Sequence, residues 1–379
     1  MRVLNIIFDS RLGGPQWRIA EVAKELKKHH IDTFVLLPKN NAEGFVSLLN
    51  QYKINFLIIN VKKLTKKYLG ILKWLIYFIP QVFSLVKIIR EINPDIVHCN
   101  ASWQWKGVIA AKLAGKKVVW HLNDTKMPFF IKIVFRFLVK KADGVIVEGK
   151  RVKDYYLKNF NIDKPIVEIQ APVDADRFNP NRVAPDKKLS KYKGIKILSV
   201  GNVNPYKGFE YLIDAANLLN KKYDNLWFFV AGNLYDTQKK YIEFLKRKIK
   251  ECNMKNFIFL GGVENIESVL KASDIYVCSS IAEASPQSVW EAMAMEKPVV
   301  STDVGSVAEF IKDGENGFIV PIKSPDMLAE KIDVLINDKN LRKEFGKRLR
   351  EVAIKELDIK ICAEKHKEIY ERIIKNVDD

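Results

Sequence analysis

Glu283-Ala-Ser-Pro-Gln-Ser-Val-Trp-Glu291, lying between Ile275-Tyr-Val-Cys278 and Pro298-Val-Val-Ser-Thr302, is the stretch whose reading decides the fold. The flanking runs are short and apolar, as buried strands are. Ser285 is a good N-cap and Pro286 suits the first helical position, so a helix is expected to start here and run through Glu291-Ala-Met-Ala-Met295. Its first turn would leave the backbone N–H groups of Gln287, Ser288 and Val289 without helical partners. Together with the positive end of the helix dipole, such donors suit a phosphate. Glu283 sits in the loop before that turn and Glu291 in the second turn. Carboxylates repel phosphate but accept well from hydroxyls, so the pattern suits a phosphate centre flanked by hydroxyl-bearing groups, as in a nucleotide sugar. Two solvated glutamates on a helix flank are the competing reading, because Glu is usually exposed.

Outward from this unit, short apolar runs alternate with helical patterns, the mark of parallel α/β sheets. Strands are expected near Val3–Phe8, Thr33–Leu37, Phe56–Ile59, Ile96–His98, Val118–His121 and Gly144–Val147. A second set falls near Ile195–Val200, Trp227–Ala231, Phe257–Leu260, Ile275–Cys278, Pro298–Ser301 and Gly317–Val320. Two doubly wound, Rossmann-like domains facing a central cleft follow, with ligands beyond the carboxyl ends of the strands. The join is expected in the Pro- and Asp-rich segment Ala171-Pro-Val-Asp-Ala-Asp-Arg-Phe-Asn-Pro180, dividing the chain into 1–173, 174–358 and a final helix near Ile359–Ile374.

The 379 residues suffice for two domains, and 48 % hydrophobic content supports large cores. The four cysteines, Cys99, Cys252, Cys278 and Cys362, have no metal-ligand spacing, and no Ser-His-Asp or Cys-His arrangement emerges. Scattered cysteines favour a reducing compartment, and Met1-Arg-Val-Leu-Asn-Ile-Ile-Phe8 reads as a first strand, not a signal peptide, so a cytoplasmic location is expected. The net charge of +18 is lopsided. Residues 1–173 hold 29 basic and 13 acidic side chains, whereas 174–379 hold 34 and 32. A basic first half attracts something anionic, although lysines that merely keep the chain soluble would look the same.

The run from Ile275 to Pro321 resembles the donor-binding segment of the retaining family 4 glycosyltransferases with the GT-B fold. The matching features are the E-x7-E spacing, Glu291-Ala-Met-Ala, Lys297-Pro-Val-Val, Gly305, and Asp313-Gly-Glu-Asn-Gly317 followed by Val320-Pro321. The resemblance extends over almost the whole chain. It implies a last helix crossing back to the first domain, an acceptor-binding first domain and a donor-binding second one. It further implies transfer of a hexose-type sugar from a nucleotide-diphosphate donor to a glycan or lipid-linked acceptor, with no cofactor and no bound metal. Glu283 would orient the transferred sugar and Glu291 would hold the ribose hydroxyls.

Lys207, in Val200-Gly-Asn-Val-Asn-Pro-Tyr-Lys-Gly208, follows a strand and precedes a helix, a suitable place for a charge facing a diphosphate. The resembled family places its donor diphosphate there. Gly201 allows close backbone approach. The family usually has arginine at the position of Asn202, which donates hydrogen bonds but carries no charge. Gly13 and Gly14 form a turn after the first strand that the resemblance puts near the reacting sugar. His121 ends a strand and matches a family histidine near that sugar, whereas His98 reads as structural. Gly262 and Val263, after the third strand of the second half, match the nucleotide-base contact. Trp103 and Trp105 suit stacking on an acceptor or ordinary core packing. Asp174-Ala-Asp176 spells a metal motif but lies in the domain join, where the family has no metal.

One segment stands apart. Tyr68–Val86 carries a single charge, Lys73, and follows Lys62, Lys63, Lys66 and Lys67. A membrane crossing is rejected: Pro80 interrupts the run, and Arg90-Glu91 leads straight into Pro94-Asp-Ile-Val-His98, which must be a central strand. Gln81–Glu91 reads as a core helix. Leu69–Ile79, with Trp74, Tyr77 and Phe78, either lies in an anionic membrane interface or is buried in protein. Alternatives to transfer are a GT-B-fold phosphorylase or nucleotide-sugar epimerase and, in another class, a non-catalytic basic protein binding membrane or nucleic acid. No nucleic-acid-binding motif appears.

Overall fold

A computed structural model of the chain describes residues 1–61, 73–125 and 127–375. It divides into two compact units, Met1–Ala171 with the segment from Ile359 onward, and Pro172–Asp358.

The first unit holds a seven-stranded sheet: β1 (Arg2–Ile6), β2 (Asp32–Pro38), β3 (Asn55–Ile59), β4 (Ile96–Asn100), β5 (Lys117–Leu122), β6 (Gly144–Val147) and β7 (Ile166–Glu168). Their order is β3-β2-β1-β4-β5-β6-β7 and every pairing is parallel. The second unit repeats the scheme with β8 (Ile195–Val200), β9 (Leu226–Ala231), β10 (Phe257–Gly261), β11 (Ile275–Cys278), β12 (Val299–Thr302) and β13 (Phe318–Val320), ordered β10-β9-β8-β11-β12-β13. Both sheets are doubly wound as expected. Their order reverses between β1 and β4 and between β8 and β11, and ligands settle at the carboxyl ends of such switch-point strands. The central strands are closed to water on both faces, which is why their sequences are continuous apolar runs.

The expected strands are all present, with ends shifted by a residue or two. The edge strand β7 was not expected: Ile166-Val-Glu168 is three residues long, half-buried and has no alternation to mark it. Pro80 does not interrupt a helix. It sits in the first turn of Phe78–Ile92, where its missing N–H costs nothing. That helix buries Gln81, Val82, Leu85, Val86 and Ile89 at helical spacing. The expected Leu69–Ile79 segment lies outside the described residues up to 72. Residues 73–76 form a helical turn that joins Phe78–Ile92 through Tyr77.

The helix Ile359–Lys375 belongs to the first unit, as the expected crossing back requires. Ile359, Cys362, Ala363, Ile369, Tyr370 and Ile373 pack with Val3, Ile96, Val119 and Ile146 of the sheet and with Val22 and Leu26 of the helix Gly14–Leu26. No helix among the described residues is long and apolar enough to cross a membrane.

Candidate functional site

In the second unit, the chain after β8 and the chain after β11 leave the carboxyl edge at the switch point and are tied together there. Ile281 donates its N–H to Tyr206 O at 2.8 Å, and Ser279 Oγ donates to Lys207 O at 3.0 Å. Between them, Lys207 Nζ donates to Glu283 Oε1 at 2.8 Å, and Ser280 Oγ donates to the same oxygen at 2.9 Å. The side chains of Lys207 and Glu283 remain 22% and 18% exposed. Burial works against the Lys207 charge, but Glu283, Cys278 and Glu291 outweigh it, so its pKa is raised and the ammonium is fully charged. The charges of Glu283, in direct contact, and of Glu291 both act on this one cation.

Two glycines make this packing possible. A Cβ on Gly201 would come within 2.6 Å of Lys207 Cε, so the bare backbone is the floor on which the lysine lies. Gly305 has φ +54° and presses against the carbonyl of Ala284, 2.2 Å from where its Cβ would stand. Ser306 N–H donates to the same carbonyl at 3.0 Å. The Glu283 loop is thus clamped from below by the residues after β12.

The helix begins one residue later than expected, at Gln287, with Pro286 in the cap position. Ser285 does not cap it. Its hydroxyl accepts from Trp290 Nε1 at 3.0 Å, an alternative partner that propensity alone does not reveal. Val289 N–H donates to Pro286 O at 2.8 Å, so the expected set of three unpaired amides is corrected to two. Among the described residues, no backbone hydrogen bond engages the N–H of Gln287 or Ser288. Tyr276 is buried in β11, and burial above all, with the charges of Cys278, Glu291 and Glu283, raises its pKa well beyond the usual phenol value. Tyr276 and Ser280 were missed in the sequence. Tyr276 looked like one more apolar strand residue, and Ser280 belongs to a loop whose spacing carries no signal.

Asn202 turns its Oδ1 to the backbone N–H of Asn233 at 3.1 Å, bridging the ends of β8 and β9. A Cβ on Gly262 would meet the Asn233 carboxamide at 2.3 Å, so the Gly262-Val263 turn lies against the same residue. Asn202, Asn233 and Gly262 therefore form a continuous edge beside Lys207.

In the first unit, Gly13 caps the helix Gly14–Leu26 in extended geometry. That helix turns Arg18 inward, where it is completely buried. Arg18 pairs with Glu148 and donates to Asn100 Oδ1 at 2.9 Å, and its Nη1 lies 3.1 Å from His121 Nε2. His121 Nδ1 lies 3.2 Å from His98 Nε2, and His98 Nδ1 lies 2.6 Å from the Tyr370 hydroxyl. His366 stacks on His98 with ring centres 5.8 Å apart. Burial, followed by the charges of Arg18 and neighbouring histidines, holds His98 and His121 well below the usual imidazole pKa, and burial brings His366 to about 4. His121 is therefore neutral, enclosed and hydrogen-bonded within its own unit. The ring nitrogens of His98, His121 and His366 lie within 4.8 Å of one another, a spacing that could hold a metal, but the Arg18 guanidinium against His121 Nε2 opposes a second cation. Arg18 was missed because it reads as a surface residue; a charge on the apolar stripe of a helix was the available signal. Trp103 and Trp105 stand apart from this network. Their rings stack on each other at 6.1 Å, and Trp105 meets Trp74 at 6.4 Å.

Two doubly wound parallel sheets, each with its own switch point, define a class of two-domain α/β folds. Residues 181–352 match the family model for glycosyl transferases group 1, and residues 12–177 match that for Glycosyltransferase Family 4. The chain belongs to this glycosyltransferase family, and its fold is GT-B. It is 29% identical over 253 residues to an uncharacterized glycosyltransferase of Methanocaldococcus jannaschii, a match spanning 65% of this chain and 62% of that protein. It is 24% identical over 378 residues to the N,N'-diacetylbacillosaminyl-diphospho-undecaprenol alpha-1,3-N-acetylgalactosaminyltransferase of Campylobacter jejuni, covering 94% of this chain and 95% of that one. The crystal structure of Anabaena HepE in complex with UDP matches with a TM-score of 0.81 at 21% identity over 100% of both chains.

Proposed function

We propose that this glycosyltransferase moves a hexose-type sugar, with retention at the anomeric carbon, from a nucleotide-diphosphate donor to a lipid-linked or glycan acceptor. The observation that carries this reading is the Lys207–Glu283 pair at the β8/β11 switch point, beside the unengaged amides of Gln287 and Ser288. Lys207 and those amides would neutralise the departing diphosphate. Glu283 would accept hydrogen bonds from the sugar hydroxyls and Glu291 from the ribose. Asn202, Gly262 and Val263 form the edge on which a nucleoside would rest. In front-side transfer the bond from the anomeric carbon to the β-phosphate oxygen breaks, the bond to the acceptor oxygen forms on the same face, and the acceptor proton passes to the leaving phosphate. No protein nucleophile is required. His121, enclosed beside Arg18, acts as a positioning residue for the first unit's carboxyl edge. The undecaprenol-diphosphate acceptor in the Campylobacter relative's name and the UDP in the HepE complex support the choice of acceptor and donor class.

A thermal-shift panel of UDP, GDP and their sugars tests the donor site, because a ligand held by the folded state raises the melting temperature. Stabilisation by at least one nucleotide sugar, followed by a product whose anomeric configuration matches the donor's, is the expected result. No stabilisation across the panel, or an inverted product, would overturn the reading.

A further inference from the structure

Arg18 gathers the chain segments that leave the switch point of the first sheet. It lies in the second turn of the helix that follows β1 and Gly13, and its buried guanidinium meets three strand ends. It donates to Asn100 Oδ1 at the end of β4 at 2.9 Å, lies 3.1 Å from His121 Nε2 near the end of β5, and pairs with Glu148 directly after β6. Asn100 in turn donates to Asn5 Oδ1 of β1. One side chain thus ties β1, β4, β5 and β6 together at their carboxyl ends.

Its chemistry also fixes the histidines. A guanidinium donates and cannot accept, so His121 Nε2 is the acceptor and the proton of this neutral ring sits on Nδ1. That N–H meets His98 Nε2 at 3.2 Å, which must accept, so the His98 proton sits on Nδ1 and goes to the Tyr370 oxygen at 2.6 Å. Glu148 Oε1 lies 3.7 Å from His121 Nε2, too far to be hydrogen-bonded by a proton there. Both ring nitrogens of His121 are therefore spent inside the unit, and the ring offers a substrate neither donor nor acceptor.

What His121 holds is a strained turn. Its carbonyl accepts from the N–H of Ala101, the residue after Asn100, at 3.0 Å. Ala101 has φ +84°, a region that residues with a Cβ rarely adopt. Its own carbonyl is gripped by Trp120 Nε1 at 2.9 Å and by the Gln104 N–H at 3.1 Å, and Gln104 Nε2 donates to Ile6 O at 3.2 Å. Such a conformation persists only where the neighbours over-determine it, and residues of this kind cluster at functional sites. The turn starts residues 102–105 at the end of β4, a switch-point edge where ligands settle. Trp103 and Trp105 in that segment are half-buried, with their rings stacked 13° from parallel. Paired indole rings suit the apolar face of a sugar.

We propose that Arg18 is a positioning residue for transfer: through Asn100 and the Nδ1–H form of His121 it holds the Ala101 turn in the shape that presents Trp103 and Trp105 to a sugar of the acceptor. The link to transfer rests on the transferase reading; the hold on the turn does not.

The Arg18→Met/Glu148→Met double variant of the full chain tests it beside the wild type. Exchange of a whole buried ion pair for apolar side chains is often neutral in stability, whereas removal of Arg18 alone strands the Glu148 charge. The melting temperature and any nucleotide-sugar shift should therefore be kept. Imidazole nitrogen NMR should show His121 protonated at Nδ1 in the wild type and released to the Nε2–H form, which free imidazole prefers, in the variant. Hydrogen exchange at the Ala101 amide should quicken about tenfold or more. With polyprenyl-diphosphate-linked N-acetylglucosamine as acceptor, kcat/KM for that acceptor should fall about 10²-fold, the cost of misplacing a substrate by about an ångström, while the donor KM stays unchanged. An Nε2–H form in the wild type, which is decisive even where the variant fails to fold, would overturn the proposal. So would unchanged Ala101 exchange, undiminished transfer by the variant, or a wild type that binds a nucleotide sugar yet leaves this acceptor untouched. A wild type with no nucleotide-sugar shift would refute the transferase reading, while the nitrogen and exchange signals still decide the hold on the turn.

Discussion

Lys207 and Glu283, 76 positions apart in sequence, meet in a 2.8 Å ion pair at the point where the order of the second sheet reverses. Partial exposure limits the contribution of such a pair to about 0–1 kcal/mol. It holds both side chains in place while leaving the lysine free to exchange its carboxylate for a diphosphate.

Lys207→Ala and Glu283→Gln should therefore separate chemistry from folding. Transfer should fall by roughly 10²–10³-fold in each, the scale set by loss of one group that stabilises developing charge. The melting temperature should move by only a few degrees, as expected for about 1 kcal/mol. Initial-rate assays and thermal melts on the same preparations check this, and wild-type turnover in both proteins would remove the pair from the site.

Gly201→Ala adds one methyl group where Lys207 Cε lies 2.6 Å away. The obstructing atoms belong to the far end of a flexible side chain, so the fold should survive while the ammonium is pushed aside. Nucleotide-sugar affinity should drop about tenfold, a loss of about 1.4 kcal/mol, as read by titration calorimetry. Unchanged affinity would show that the lysine's resting place has no part in donor binding.

The buried histidines give the first unit a defined response to acid. In the folded protein His366 is held at about 4 and His98 and His121 well below their usual range, whereas unfolded imidazoles protonate near about 6.5. Between these values the unfolded chain binds more protons, so stability is whole above that window and declines as pH falls through it. His366 alone should account for about 2 kcal/mol between pH 7 and pH 5, measured by urea unfolding. His366→Gln should flatten the profile by that amount; an equally steep profile in the variant would refute the assignment.

The sequence made the second unit more legible than the first. Glu283, Glu291, Lys207 and Gly201 lie in loops next to strands whose apolar runs are unmistakable, and local order carries them to the same edge. The helix start at Gln287 and the use of Ser285 by Trp290 were not legible, because a cap competes with tertiary partners that local sequence does not contain. In the first unit, Arg18, Glu148 and His366 come from three distant segments, and only the folded sheet brings them together. The strand β7 escaped for the opposite reason, being too short to carry a pattern.

The helix Ile359–Lys375 also bears on how the protein is made. Its Ile359, Cys362, Ala363, Ile369, Tyr370 and Ile373 complete a core whose remaining members lie before residue 172, so translation must pass through the entire second unit before those members find their partners. Until then, His98 and the inner side of Gly14–Leu26 lack their native cover. The nascent first unit is therefore the stretch for which a ribosome-associated chaperone would matter most.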